Sequence, residues 1–210
     1  MTCGWISGAF DLMMADAPGR IRFPVPVYLI DHPKGRVLFD SGLHPDFQTD
    51  MHARAGDVLA DLFEVEFRPG EEIKARLETL DIATDSIGCI IYSHLHWDHT
   101  GGNALIPNAT IIIQEKEWEA GHVPELIKSN IFNPDDYNHG HQVRQVDGEF
   151  DLFGDGTVVT VPTHGHTPGH QSLKVKLASG DILLAADACY FRKTLEDLHL
   201  PNIVYDREKS

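Results

Sequence analysis

The chain is poor in cysteine and in basic residues, and both shortages restrict what kind of protein it is. Its three cysteines, Cys3, Cys89 and Cys189, stand far apart and form no C-x-x-C pair. That argues against a disulfide framework and for a reducing compartment. Lysine and arginine number 17 against 32 aspartates and glutamates, which gives a formal net charge of −15. Such an acidic surface repels a phosphate backbone, so we expect no nucleic-acid partner.

Long apolar runs are also missing. No stretch approaches the roughly 20 apolar residues that cross a bilayer. The first residues lack the charged and apolar regions of a signal peptide. We therefore expect no membrane partner and a cytoplasmic protein. The 210 residues are 42% hydrophobic, which is enough for the core of a single domain over residues 1–210.

Apolar runs separated by turn residues predict more strands than helices. The predicted strands are 25–30, 36–39, 89–93, 109–114, 142–146, 148–153, 157–162, 171–177 and 181–186. Helices are predicted over 71–80, from its apolar spacing, and over 115–120. Residues 46–67 have a mixed pattern that we interpret as a cap over a site, and 121–142 as a long loop. This arrangement predicts an α/β fold of packed sheets with helices outside.

One short segment concentrates side chains that bind metals. His94, His96, Asp98 and His99 fall within six residues, directly after the apolar run 89–92. A strand that ends in this way projects imidazoles and a carboxylate from a sheet edge into one small volume. Imidazole nitrogens suit zinc, and an adjacent carboxylate suits a second divalent ion. A solvated polar loop is the alternative interpretation. We favour a metal site, because the pattern H-x-H-x-D-H is improbable by chance.

Three further polar features follow predicted strands. They are the histidine-rich turn 163–170, Asp187 after the apolar run 182–186, and Asp40 after 37–39. A carboxylate at the end of a buried strand is costly unless it is paired or bound to a cation. A two-metal site supplies that compensation and needs a bridging carboxylate. These features therefore favour a site for two divalent ions.

The same segments resemble the metallo-β-lactamase superfamily. The resemblance rests on S-H-L-H-W-D-H-T-G-G-N, G-H-T-P-G-H-Q-S-L and D-A-C-Y, which occur in that order, and on P-V-P-V-Y-L-I and V-L-F-D-S-G-L before them. Within the superfamily the chain is most similar to the N-acyl-homoserine lactonases. Tyr190 stands three residues after Asp187, where this group carries a tyrosine that reaches the substrate. The resemblance implies an αββα sandwich.

The resemblance also implies six ligands for two divalent ions, with zinc the expected metal. They are His94, His96 and His166 for the first ion, Asp98 and His99 for the second, and Asp187 as a bridge between both. His164 and His170, beside the third ligand, are expected to be hydrogen-bonding partners or surface residues. Asp40 is expected to be structural or to support a ligand.

The activity implied is the opening of the lactone ring of N-acyl-homoserine lactones, with the lactone as small-molecule partner. A hydroxide that bridges the two ions would attack the carbonyl carbon. Tyr190 would donate a hydrogen bond to the carbonyl oxygen, and Asp98 would pass a proton to the departing ring oxygen. Trp97 would line the substrate pocket, with packing in the core as an equal alternative. Apolar residues of 46–67 would form a wall for the acyl chain.

The chain departs from the family after Asp187. The family completes the second metal site with a histidine several tens of residues further on, whereas here only His199 follows. We therefore expect the last strand–helix unit of the family to be missing. Three explanations are open: the chain is a fragment, His199 replaces the missing ligand, or the second metal is held more weakly by the remaining ligands. A sheet edge left bare would favour self-association into a homodimer. The alternative functions are another ester, small-lactone or thioester hydrolase, or a non-catalytic metal-binding relative.

Overall fold

The computed structural model describes residues 1–197 and 200–208. The strands are β1 (Thr2–Ala9), β2 (Arg20–Pro26), β3 (Tyr28–His32), β4 (Gly35–Phe39), β5 (Phe63–Glu66), β6 (Ile87–Ile91), β7 (Thr110–Gln114), β8 (Val143–Val146), β9 (Phe150–Asp151), β10 (Val158–Pro162), β11 (Gln171–Leu177) and β12 (Gly180–Leu184). The helices are α1 (Phe10–Met13), α2 (Met51–Leu62), α3 (Ile73–Glu78), α4 (Trp97–Thr100), α5 (Glu115–Ala120), α6 (Pro124–Asn130), α7 (Pro134–Tyr137) and α8 (Arg192–Asp197). Short 3-10 helices cover Pro45–Gln48, Thr84–Ser86, Asn103–Leu105 and Ala186–Ala188.

A five-stranded sheet forms the centre of the fold, in the order β3-β4-β6-β7-β8. Strands β4, β6, β7 and β8 run parallel, and β3 is antiparallel to β4. Both faces of β4, β6 and β7 are largely buried, as is usual for parallel strands, whereas β8 at the edge exposes Arg144 and Gln145. Leu38 and Ile90 belong to a cluster with α3 and α5 on one face, and Val37 and Phe39 point to the second sheet.

The second sheet is antiparallel, in the order β12-β11-β10-β9. Val158, Leu173 and Val175 from this sheet pack against Val37 and Phe39 of the first. Its edge strand β12 exposes apolar side chains, with Ile182 43% and Leu183 57% accessible. An exposed apolar edge is the feature on which a homodimer would depend, and the homodimer stays a prediction.

A three-stranded antiparallel sheet, β2-β1-β5, stands beside these two. The predicted strand 25–30 is wrong as one element, because the chain leaves β2 at Pro26 and enters the five-stranded sheet as β3. Proline has no N–H with which to continue a ladder. The segment 46–67 contains α2, which is kinked at Gly56 (φ 74°) and ends in β5.

The predicted long loop over 121–142 is wrong, because it contains α6 and α7. Both helices begin at a proline, Pro124 and Pro134, and proline is favoured in the first helical turn, where its missing N–H costs nothing. Cys3 and Cys89, the two core cysteines, are buried. In the part of the chain that the structure describes, no helix is long and apolar enough to cross a membrane.

The topology brings four strand ends together. Strands β4 and β6 are parallel neighbours, so Asp40 and the segment 93–99 leave the same edge of the sheet. Strands β10 and β12 both run antiparallel to β11, so the loop 163–170 and Asp187 also share one edge. Open α/β sheets bind ligands at the carboxyl ends of their strands, and this edge carries every metal-binding side chain predicted from the sequence within 1–197.

Candidate metal centre

Three imidazoles and one carboxylate face each other across a small volume. One ligand atom from each of His94, His96, His166 and Asp187 lies within 4.8 Å of all the others. His96 Nδ1 is 2.8 Å from His94 Nε2 and 3.0 Å from His166 Nε2. Ligands of a tetrahedral zinc ion, bound at about 2.0–2.1 Å, stand roughly 3.3 Å apart. The size and the donor set of this group therefore fit one divalent ion.

A second group shares Asp187 with the first. Asp187 turns Oδ2 toward His166 Nε2, at 3.4 Å, and Oδ1 toward His99 Nε2, also at 3.4 Å. Asp98 Oδ2 lies 3.5 Å from the same His99 nitrogen. One carboxylate thus presents a separate oxygen to each group. The six predicted side chains are brought together, in two sets that share Asp187.

Asp40 and Ser93 orient two of the imidazoles. Asp40 accepts the Ser93 backbone N–H at Oδ1 (2.7 Å), and its Oδ2 accepts the Ser93 hydroxyl (2.9 Å) and His99 Nδ1–H (2.8 Å). The Ser93 oxygen in turn lies 2.9 Å from His94 Nδ1. With a proton on Nδ1, neutral His94 presents an unprotonated Nε2 to the centre, and His99 would do so once a metal ion takes the place of its second proton. Carboxylate–histidine pairs of this kind fix tautomers in metal sites.

His96 is oriented in the opposite sense. Its Nε2 lies 2.9 Å from the carbonyl oxygen of Asn130, at the end of α6, and Nδ1 faces the centre. Ile131, the next residue, is left-handed at φ 56°, which is costly for a β-branched residue. The left-handed conformation of Ile131 ends α6 at Asn130, and the Asn130 carbonyl oxygen is thereby free to contact His96. A motif search does not find this contact, because it depends on a backbone atom.

Burial and mutual repulsion keep the first three imidazoles neutral. Burial, followed by the neighbouring histidines, holds the pKa of His94 and of His96 well below the ordinary value. Burial also lowers the pKa of His166. Neutral imidazole is the form that binds metals. The three rings are therefore neutral near neutral pH, and the contacts of His94 and His96 leave the nitrogens that face the centre unprotonated.

The second group has the opposite electrostatic character. Burial lowers the pKa of His99, but the carboxylates of Asp98, Asp187 and Asp40 outweigh it and hold that pKa well above the ordinary value. Burial raises the pKa of Asp98 to about 6. A buried cluster of three carboxylates around one imidazole needs positive charge. A divalent cation supplies more of it than one proton does.

Tyr190 is in direct contact with the shared carboxylate. Its hydroxyl donates a hydrogen bond to Asp187 Oδ2 at 2.7 Å. Burial and the charge of Asp187 hold the pKa of Tyr190 well above its ordinary value, so the hydroxyl keeps its proton. Burial opposes the ionisation of Asp187, yet His99 and this hydrogen bond hold the carboxyl's pKa well below the usual range.

The remaining predicted histidines surround the centre. His170 is buried, with Nδ1 2.9 Å from the Thr163 hydroxyl, and its ring lies 5.1 Å from that of His94. Burial lowers the pKa of His170 to about 3. His164 Nδ1 lies 3.2 Å from the His170 carbonyl oxygen. His199, the proposed substitute ligand, lies outside the described residues.

A cavity of about 780 Å³ opens onto the two groups. His96, Asp98, His99, His166 and Asp187 form its polar floor. Trp97 lines it as well and is also packed against Phe47 and Phe63 at ring distances of 5.0 and 6.3 Å. Its contact with a substrate stays a prediction. The other walls are mostly apolar and include Phe23, Val25, Leu59, Leu62, Phe63, Ile131 and Ile203, with Ser129, Asn130 and Asn202 as polar members.

Comparison with known proteins agrees with this architecture. A family model described as the metallo-beta-lactamase superfamily matches residues 20–205. The N-acyl homoserine lactonase AttM of Azorhizobium caulinodans is 36% identical over 189 residues, which are 87% of this chain and 72% of that protein. The N-acyl homoserine lactonase AiiA of Bacillus thuringiensis subsp. kurstaki is 30% identical over 194 residues, 91% of this chain and 74% of that protein.

A solved structure gives the same result. An N-acyl homoserine lactone hydrolase, with the product N-hexanoyl-L-homoserine bound at its catalytic metal centre, superposes with a TM-score of 0.88 at 26% identity. The match covers 99% of this chain and 81% of that one. It confirms the predicted fold class and the resemblance found in the sequence. The chain belongs to the metallo-beta-lactamase superfamily, in the family of the N-acyl homoserine lactonases.

Proposed function

We propose that the chain is a dinuclear zinc hydrolase that opens the lactone ring of N-acyl homoserine lactones. The observation that carries the proposal is the cavity, which joins a floor of imidazoles and carboxylates to apolar walls. Such a cavity suits a substrate with one hydrolysable polar ring and one acyl chain. The family supports the same reaction, since the relatives from Azorhizobium caulinodans and Bacillus thuringiensis are both named N-acyl homoserine lactonases.

The six side chains would divide between two ions. His94, His96 and His166 would hold the first, Asp98 and His99 the second, and Asp187 would bridge them, as its two oxygens already face different groups. The ions, when bound, would supply a hydroxide nucleophile at neutral pH and would polarise the substrate carbonyl.

Asp98 is suited to move the proton. Burial raises its pKa to about 6 in the absence of metal, and a bound cation would lower that pKa again, so Asp98 would begin the reaction as a carboxylate able to accept a proton. Its carboxylate would take the proton released when water becomes hydroxide. It would then give that proton to the ring oxygen as the bond between the carbonyl carbon and the ring oxygen breaks. The products are a carboxylic acid and an alcohol.

Tyr190 would stabilise the negative charge that develops on the carbonyl oxygen. Tyr190 lines the cavity, and its hydroxyl keeps the proton that it donates to Asp187 Oδ2 at 2.7 Å. That O–H would turn from Asp187 to the carbonyl oxygen of the substrate. A donor held beside the reacting carbon lowers the barrier when its hydrogen bond strengthens in the transition state. Trp97, Leu59 and Phe63 would contact the acyl chain.

Ring opening by the zinc-reconstituted protein tests the proposal. We expect N-hexanoyl homoserine lactone to be converted to the open acid, measured by chromatography and by acid release. Asp187→Asn should abolish the reaction. Asp181→Asn, which changes an exposed carboxylate on β12, is the matched control and should leave it unchanged. Faster cleavage of thioesters than of acyl lactones would show that the substrate class is wrong.

A further inference from the structure

A buried carboxylate outside the metal groups connects the two segments that carry the three imidazoles. Glu117 lies in α5 and is 0% exposed. Its Oε1 accepts the backbone N–H of Leu95 at 3.0 Å. Its Oε2 accepts the Thr167 hydroxyl at 2.8 Å and the backbone N–H of Gly169 at 2.7 Å. The partners of this buried charge are therefore three neutral donors.

The donors are placed where they control the ligands. Leu95 stands between His94 and His96, so its N–H fixes the backbone of the H-x-H pair. Thr167 and Gly169 lie in the loop that carries His166. One side chain thus connects two segments that are about 70 residues apart in sequence and that face each other at 3.0 Å through His96 Nδ1 and His166 Nε2.

A glycine contact strengthens this connection. A Cβ atom at Gly169 would lie 2.2 Å from the backbone nitrogen of Glu117 and 2.7 Å from its Cβ. Real Cβ atoms do not approach so closely, so the loop can reach the carboxylate only with glycine at this position. The loop and α5 are therefore in backbone contact as well as hydrogen-bonded.

We propose that Glu117 is a positioning residue that sets the spacing of the His94–His96 pair and of His166 toward a divalent ion. The inference rests on the metal site of the proposed function, and not on the lactone as substrate. Two of the three donors are backbone N–H groups and the third is the hydroxyl of Thr167, the residue after His166. The carboxylate therefore acts on the ligands mainly through the main chain of the segments that carry them. Groups that orient ligands from outside the first coordination sphere typically contribute about 10–100-fold to metal affinity.

Glu117→Gln is the direct test, because it keeps the shape and replaces one accepting oxygen with a donating NH₂. The amide can accept from Leu95 or from Gly169, but not from both. We expect zinc affinity, measured in competition with a chromogenic chelator, to fall about 10–100-fold. Glu119→Gln makes the same change on the exposed side of α5, and should leave the affinity unchanged.

The absorption spectrum of the cobalt(II)-substituted protein separates positioning from general support of the fold. The d–d bands report ligand geometry, so they should change in Glu117→Gln and stay as in the wild type in Glu119→Gln. Thr167→Val removes a single donor at nearly constant volume, and decides the matter if Glu117→Gln does not fold. It should shift the bands and weaken zinc binding less than the full substitution.

Wild-type affinity and unchanged cobalt bands in both Glu117→Gln and Thr167→Val would overturn the proposal. Lactone turnover is not needed for this measurement. If the wild type binds zinc but does not open lactones, the proposed function fails and the role of Glu117 stands. If lactones are opened and Glu117→Gln binds zinc normally, only the role of Glu117 fails.

Discussion

Asp40→Asn tests how the second metal group is built. Asp40 accepts three hydrogen bonds within the centre, from the Ser93 N–H, the Ser93 hydroxyl and His99 Nδ1. An asparagine fits the same space but offers only one accepting oxygen. If that oxygen stays on the Ser93 N–H, the new NH₂ faces His99 Nδ1. His99 then either loses its acceptor or moves its proton to Nε2, the atom that faces Asp98 and Asp187.

The cost follows from these contacts. Whichever way the amide is turned, at least one buried donor loses its acceptor, and each such loss costs about 1–3 kcal/mol. The number is two, the Ser93 hydroxyl and His99 Nδ1–H, if the oxygen takes the Oδ1 position. If the cost falls on His99, it corresponds to a loss of affinity of about 5–150-fold for the second ion. The first group does not include His99 and is connected to Asp40 only indirectly, through the Ser93 hydroxyl beside His94, so the affinity for the first ion should change less.

A two-site zinc titration by competition calorimetry measures both constants. We expect the weaker constant to fall and the tighter one to stay within a few-fold of the wild type. Asp85→Asn, an exposed carboxylate on the 3-10 helix before β6, is the control and should change neither. Two unchanged constants in a folded Asp40→Asn protein would refute the argument that Asp40 fixes the His99 tautomer.

Three other predictions concern the neighbourhood of Asp187. The Tyr190→Phe protein should keep its zinc and turn over substrate roughly 10–100-fold more slowly, since a hydrogen bond to a charged group contributes about 1.5–3 kcal/mol. The Asp187→Asn protein should lose zinc. Equal loss of metal in both variants would contradict these roles. Ala186→Gly should raise the free energy of unfolding of the metal-free protein by roughly 0.5–1 kcal/mol in urea titrations, because Ala186 has φ 47° and glycine adopts that conformation without strain; a decrease would be unexpected. At pH 8 a thiol reagent should label only Cys189 in the folded protein, since it lines the cavity and burial raises the pKa of the two core cysteines to about 12 and about 11; rapid labelling of all three would contradict the packing.

The parts of the fold that could be predicted from sequence are those in which local pattern and burial agree. The run 87–91 is apolar because both faces of β6 are covered, and the histidines that follow it leave the sheet edge together. The antiparallel strand Gln171–Leu177 is bounded by turns and matches its prediction. Residues 121–142 are polar and contain prolines, yet those prolines begin helices rather than break them.

The supporting contacts of the site could not be predicted in the same way. Glu117 accepts hydrogen bonds from backbone N–H groups, and Asn130 contacts His96 with its backbone carbonyl oxygen. In both cases the partner lies far away in sequence, and neither residue belongs to a recognisable motif. Asp40 was predicted only as structural or supporting, because its contact with His99 depends on β4 and β6 being parallel neighbours. The contact between Tyr190 and Asp187 also depends on the 3-10 turn Ala186–Ala188, which places them on one side.

The metal content of the protein tests the central claim most directly. After reconstitution with zinc and removal of the excess, inductively coupled plasma mass spectrometry should find two zinc ions per chain. That result is expected if Asp187 bridges two groups of ligands. One zinc ion per chain, or none, would contradict the account of a two-ion centre.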